Sequence, residues 1–161
     1  MEDKYLLYRR NSIGMDDPSA KVHPRIIFGP GYRLTKDYVT KHSITHVINC
    51  ADDDCSPVWF KRLYPKHYAC IEAEDSPTAN ILQWYPLFES IMRSFLKSLD
   101  SKTIYVHCQA GVNRSAFLTL AFVCLNFGYD YHSTAKSIIQ QRPCALQNPA
   151  YQQQVEKRCT K

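Results

Sequence analysis

The stretch that decides the fold is Thr103-Ile104-Tyr105-Val106-His107-Cys108-Gln109-Ala110-Gly111-Val112-Asn113-Arg114-Ser115. Its first four residues are β-branched or aromatic and read as a buried strand. From Ala116 to Phe127 the chain is almost wholly apolar and is closed by Gly128, which reads as a buried helix with a glycine stop. A cysteine therefore stands where the strand ends and an arginine where the helix begins. Such a turn binds anions. The first amides of a helix lack internal partners, and the helix dipole adds positive potential there. Loop amides turned inward make a phosphate-sized nest. Gly111 allows the positive φ that such a curl needs, and Asn113 is among the next most tolerant residue types. Arg114 supplies a planar fork that matches two phosphate oxygens. The same field favours an ionised thiol, so Cys108 is expected to attack phosphorus in line, with Ser115 donating a hydrogen bond to the sulfur. His107, at the strand end, is expected to order the loop rather than transfer protons.

Working outward, Arg25–Gly29, Thr45–Cys50 and Tyr68–Ile71 read as further strands. Thr35 is placed to cap a short helix through Lys41, and Ser56-Pro57 to start one before Val58. Ile81, Tyr85, Phe88, Met92, Phe95 and Leu99 step by four and three, as one apolar helix face does; Pro86 either kinks this helix or starts its main part. Asp130 or Ser133 begins another helix through Gln141, and Asn148 caps a last one with Pro149 in first position. Strands alternating with helices imply an α/β fold: a central, mostly parallel sheet of four to five strands flanked by helices. Ligand then binds at the carboxyl ends of the strands.

Expelling an alcohol or phenol from phosphorus needs a proton donor above the loop. Glu72, Glu74 and Asp75, on the acidic stretch after the third strand, are the candidates. Asp52-Asp53-Asp54 reads as a solvated turn.

His107-Cys108-x5-Arg114-Ser115, with Ala110-Gly111 inside it, resembles the signature of the cysteine-dependent protein tyrosine phosphatase superfamily. The Arg114-Ser115 pair and the short chain are most similar to its dual-specificity branch. The Arg142-Pro143 … Asn148-Pro149-x-Tyr151 ending is similar too. The resemblance implies a phosphatase-like fold and hydrolysis of phosphotyrosine and phosphoserine or phosphothreonine through a phosphocysteine, with no metal or cofactor. It implies that Gln109, Ala110, Gly111, Val112, Asn113 and Arg114 hold the phosphate. It also points to Asp75, 33 residues before Cys108 in a family-like Asp-Ser-Pro run, as the general acid. RNA 5′-triphosphatases and inositol-lipid phosphatases share this loop. The lysines typical of the lipid enzymes are absent, however, and Arg114-Ser115-Ala116 differs from the usual RNA-branch pattern. A phosphate-binding module without catalysis is the remaining alternative. The Lys4-Tyr5-Leu6-Leu7-x-Arg9 run and Asn113 resemble poxvirus-type members, whose N-terminal helix is exchanged between subunits. That likeness implies a homodimer formed through an N-terminal segment.

At 161 residues the chain suits one domain with a sizeable core. We expect an N-terminal helix-plus-linker segment over 1–24 and a catalytic domain over 25–161. A formal net charge of +5 favours phosphorylated or acidic partners without singling out nucleic acid. No segment approaches the ~20 apolar residues that span a bilayer, and the first residues carry no signal-peptide pattern. Seven cysteines, one required as a thiolate, suit a reducing intracellular compartment, cytoplasmic or nuclear. No CxxC pair suggests structural zinc. Cys50, Cys70 and Cys124 are the thiols to consider as disulfide partners of Cys108.

Overall fold

A computed structural model describes residues 18–160. In chain order the elements are β1 (Ala20–His23), β2 (Ile26–Pro30), α1 (Lys36–Lys41), β3 (Ile44–Asn49), α2 (Val58–Leu63), β4 (Tyr68–Cys70), α3 (Tyr85–Lys97), β5 (Thr103–Cys108), α4 (Arg114–Phe127), α5 (Tyr131–Gln141) and α6 (Pro149–Cys159). The five strands form one sheet in the order β1-β2-β5-β3-β4. All pairings are parallel except β1 with β2. β5 lies at the centre and is buried throughout, as its continuous apolar run requires.

Side chains alternate across the sheet and divide the core in two. Ile26, Phe28, Ile48, Ile104 and Val106 face the larger core, together with residues of α3 to α6. Ile27, Val47 and Tyr105 face the smaller one, closed by Val39 of α1 and Phe60 of α2. Thr35 caps α1 by accepting from the Tyr38 amide at 3.1 Å. Asp130 and Asn148 cap α5 and α6 in the same way. Gly128 ends α4 in the left-handed region, with φ 70°.

Two expectations change, and one open alternative is decided. The stretch read as linker up to Pro24 contains β1, whose Ala20 pairs with Phe28 and covers the edge of β2; four polar-flanked residues carry too little pattern to announce a strand. Leu99 does not join the apolar face of α3. The helix ends at Lys97, and Leu99 is wholly solvent-exposed in the turn beyond. Pro86 sits in the first turn of α3, after a separate 3-10 turn over Ile81–Gln83, so it starts the helix and does not kink it. The Lys4–Arg9 run expected as the helical part of the N-terminal segment, and with it the dimerisation arm, lies outside the described residues. Among the described residues no helix is long and apolar enough to cross a membrane.

Candidate active site

Register brings the loop to the carboxyl edge of the sheet. Gly29 and Pro30 of β2 lie opposite His107 and Cys108, while Asn49 of β3 lies opposite His107 on the other side. Cys108 ends β5 and is only 2% exposed. Its Sγ lies 3.2 Å from Ser115 Oγ in the first turn of α4. Asn113 precedes that helix but makes no side-chain cap to it, so the opening amides of α4 are left to the loop's interior.

The curl depends on Gly111, at φ 67°. A Cβ there would also fall 2.6 Å from both the Gly29 carbonyl oxygen and the Pro30 nitrogen. Conformation and close approach both demand glycine.

His107 is fully buried. Its Nδ1 lies 3.0 Å from the Cys108 carbonyl oxygen. A carbonyl only accepts, so Nδ1 carries the hydrogen and Nε2 accepts from the Ser56 hydroxyl, which it also contacts. Burial pushes the imidazole down to about 4, and the neutral tautomer fixed by these two bonds holds the strand end. Ser56-Pro57 precedes α2 as expected, and the Ser56 hydroxyl serves His107 rather than capping that helix.

Arg114 donates through Nη1 to the Ala73 carbonyl at 3.0 Å. Its Nε is buried without a hydrogen-bond partner among the described residues. A buried guanidinium N–H left unsatisfied is costly, and an oxyanion in the loop would satisfy it.

Asp75 is exposed, on the loop that leaves β4. Asn113 Nδ2 lies 3.3 Å and Asn148 Nδ2 3.5 Å from its carboxylate oxygens. Both flanks of the loop are tied to α6. The Tyr151 hydroxyl donates to the Glu74 carbonyl at 2.5 Å and accepts from the Ser76 amide at 3.1 Å. Asn148 donates to the Ser76 carbonyl at 2.9 Å. Glu72 takes a positive φ of 58° just before. The ties at Glu74 are backbone bonds, and those at Asp75 hold its side chain. Asp75 is thus the carboxylate that the loop presents toward the Asn113 end of the phosphate loop.

Sequence reasoning missed the residue that secures the loop from behind. Arg142, 1% exposed, donates to the carbonyls of Gly111 at 2.8 Å and Ala110 at 2.6 Å. It also donates to the Pro18 carbonyl at 2.8 Å. These bonds turn the loop carbonyls away from the anion side, so its amides face inward. An Arg-Pro pair reads as a helix end; nothing in the local pattern announces a buried clamp. Gln109 and Ala110 are exposed at the rim, and Val112 and Asn113 are half-buried.

Cys50 N donates to the His107 carbonyl at 2.7 Å, placing Cys50 one step beyond the last β3–β5 pair and beside Cys108 on the same sheet face. Burial, then the neighbouring Cys108, pushes its thiol up. Cys70 donates to the Ala51 carbonyl at 3.1 Å, and Cys124 pairs with Cys159.

A buried thiol on the floor of a glycine-turned loop, a guanidinium N–H unpaired among the described residues and a carboxylate across the opening make a pocket suited to an oxyanion. The family model for the dual specificity phosphatase catalytic domain matches residues 26–159, and the chain belongs to that family. It is 30% identical to dual specificity protein phosphatase 22-B of Danio rerio over 121 residues, covering 75% of this chain and 62% of that protein. It is 25% identical to the serine/threonine/tyrosine-interacting protein of Mus musculus over 141 residues, covering 84% of this chain and 62% of that one. The crystal structure of the human tyrosine phosphatase-like serine/threonine/tyrosine-interacting protein shares the fold, with TM-score 0.73 at 23% identity, covering 89% of this chain and 96% of that chain. The chain thus spans less than two thirds of the length of these two curated relatives.

Proposed function

We propose that this chain hydrolyses phosphotyrosine and phosphoserine or phosphothreonine in protein substrates. The observation that carries the proposal is the Cys108 thiol 3.2 Å from Ser115 Oγ, on the floor of a loop where Arg114 Nε has no partner among the described residues. In the first step Cys108 attacks phosphorus and Asp75 protonates the departing oxygen, leaving a phosphocysteine. In the second, Asp75 takes a proton from water, which attacks phosphorus, and Ser115 donates to the leaving sulfur. Arg114 and the amides of Gln109 to Arg114 hold the three non-bridging oxygens, most tightly in the transition state. No metal or cofactor enters these steps.

The test is phosphate release from a peptide bearing both phosphothreonine and phosphotyrosine, compared with Cys108→Ser. Loss of both phosphates, abolished by the substitution, supports the reading. Binding without release would replace it with a phosphopeptide-binding module. That second reading is favoured by one finding: a relative, the serine/threonine/tyrosine-interacting protein of Mus musculus, is named as an interacting protein. Neither binding nor release would redirect the search to RNA 5′-triphosphates and inositol phosphates. The proposal extends to a reducing cytoplasmic or nuclear setting and to a poxvirus-type homodimer. Sedimentation of the whole chain against one lacking residues 1–17 tests the dimer.

A further inference from the structure

At the amino ends of the strands, opposite the phosphate loop, three ligating side chains from distant parts of the chain converge. His46 lies in β3, His67 precedes β4, and Asp100 precedes β5. One ligand atom from each lies within 4.8 Å of the other two. His67 Nε2 is 2.9 Å from Asp100 Oδ2, and His46 Nε2 is 3.9 Å from Asp100 Oδ1. The two imidazoles stack, centroids 4.1 Å apart and 21° from parallel.

The remaining ring nitrogens are already committed. His67 Nδ1 lies 3.0 Å from the Thr45 carbonyl oxygen, which can only accept, so Nδ1 carries a hydrogen. Its Nε2, turned to Asp100, therefore holds either a second proton or the lone pair that binds a metal. His46 Nδ1 lies 2.8 Å from Thr45 Oγ1. When that hydroxyl donates to the Thr103 carbonyl at 3.4 Å, His46 Nδ1 donates to it and Nε2 is again the lone-pair end. A metal-binding imidazole usually has its other N–H held by a carbonyl or similar acceptor, and one residue, Thr45, offers acceptors to both rings. His46 is 1% exposed and packs against Phe95, which fixes its ring.

We propose that His46, His67 and Asp100 form a binding site for a divalent transition-metal ion, with zinc the best match. Two imidazoles and a carboxylate suit Zn²⁺, whose ligands lie at about 2.0–2.2 Å, and tetrahedral angles then separate neighbouring ligand atoms by about 3.3 Å, between the two distances seen here. Three protein ligands leave a fourth position open to water. The ion would staple the entries of β4 and β5 to β3. His46 pairs with Ile104, four residues before Cys108, so the site lies on the order of 13 Å from the thiol at ~3.3 Å per residue. The role is structural and separate from phosphoryl transfer.

The experiment uses the full chain with Cys108→Ser, which removes the active-site thiolate as a competing ligand. Zn²⁺ is titrated against a chromophoric chelator, and Co²⁺ is followed by absorption. The expected result is one equivalent bound, a raised melting midpoint, and a Co²⁺ spectrum without thiolate charge transfer. Affinity should fall by at least ~10–100-fold in His67→Gln and in Asp100→Asn, with chelator-treated variants melting as the parent does. No binding, binding indifferent to both substitutions, or a thiolate charge-transfer band would each overturn the proposal. Asp100 is largely exposed, so Asp100→Asn decides the matter alone should His67→Gln fail to fold.

Discussion

Asn113 joins Asp75 to the far end of the domain: its Nδ2 lies 3.3 Å from Asp75 Oδ2, while its Oδ1 accepts from the amides of Gln147 and Asn148 at 2.9 and 2.8 Å. One amide side chain thus ties the phosphate loop, the acid loop and the segment before α6. Replacing it by alanine should lower kcat about 10-fold by letting Asp75 wander, with little change in KM. The cost should be less than additive with that of Asp75→Asn, because both act through the same proton transfer. Steady-state rates on a phosphopeptide for the two single variants and the double variant check this.

Asp75→Asn alone should reduce kcat/KM, which reports the first half-reaction, on phosphoserine or phosphothreonine peptides by ~10²–10⁴-fold. An aryl phosphate with an acidic leaving group departs without a proton and should be affected far less. Equal losses on both substrates would mean that Asp75 acts in some other way.

Ser115→Ala should slow the second half-reaction most. The first turnover releases the alcohol normally, and the phosphocysteine then persists because its sulfur leaves without a donated hydrogen. Rapid mixing with an aryl phosphate should show a burst of one equivalent followed by a slower steady rate.

The centre of this site is local in sequence, and that explains what the sequence made legible. Strand, glycine, arginine and apolar helix stand within twenty-five residues, so the loop from His107 to Ser115 reads directly. Thr35, Asp130 and Asn148 cap their helices through contacts two or three residues away. Arg142, Ser56 and Tyr151 act on residues 31, 51 and 77 positions distant, and no local periodicity encodes such pairs. The edge strand β1 was hidden for the same reason: its pairing with β2, not its composition, makes it a strand.

Arg142→Met keeps the volume but removes the donors to Gly111, Ala110 and Pro18. The buried Gly111 carbonyl left unpaired costs about 1–3 kcal/mol, and the part-buried carbonyls of Ala110 and Pro18 add less, so the melting midpoint should drop. The loop should also relax by enough to slow phosphate release on the order of 10²-fold. Calorimetry and single-turnover rates on the same sample separate the two effects.

Acid should weaken the fold through His107. Its ordinary value of 6.5 falls to about 4 in the folded protein, so between those values the unfolded chain binds a proton that the native site refuses. Stability is therefore full above pH 6.5 and declines as pH falls toward 4, by about 3 kcal/mol for this group alone. His46 shifts in the same direction. Denaturant midpoints between pH 7.5 and 4.5 should fall with pH, and less steeply in His107→Asn, whose uncharged amide has no proton to gain.

Among the described residues, bonds of Arg142 reach in two directions: to Ala110 and Gly111 in the phosphate loop, and to Pro18 at the start of the described chain. A single rigid fork satisfies all of them at once. A displacement of Pro18 by an ångström must either break its own bond or carry the fork with it, and the loop carbonyls follow. The threshold of the domain and the cradle at its catalytic end are thus two arms of one lever, with the guanidinium as its fulcrum.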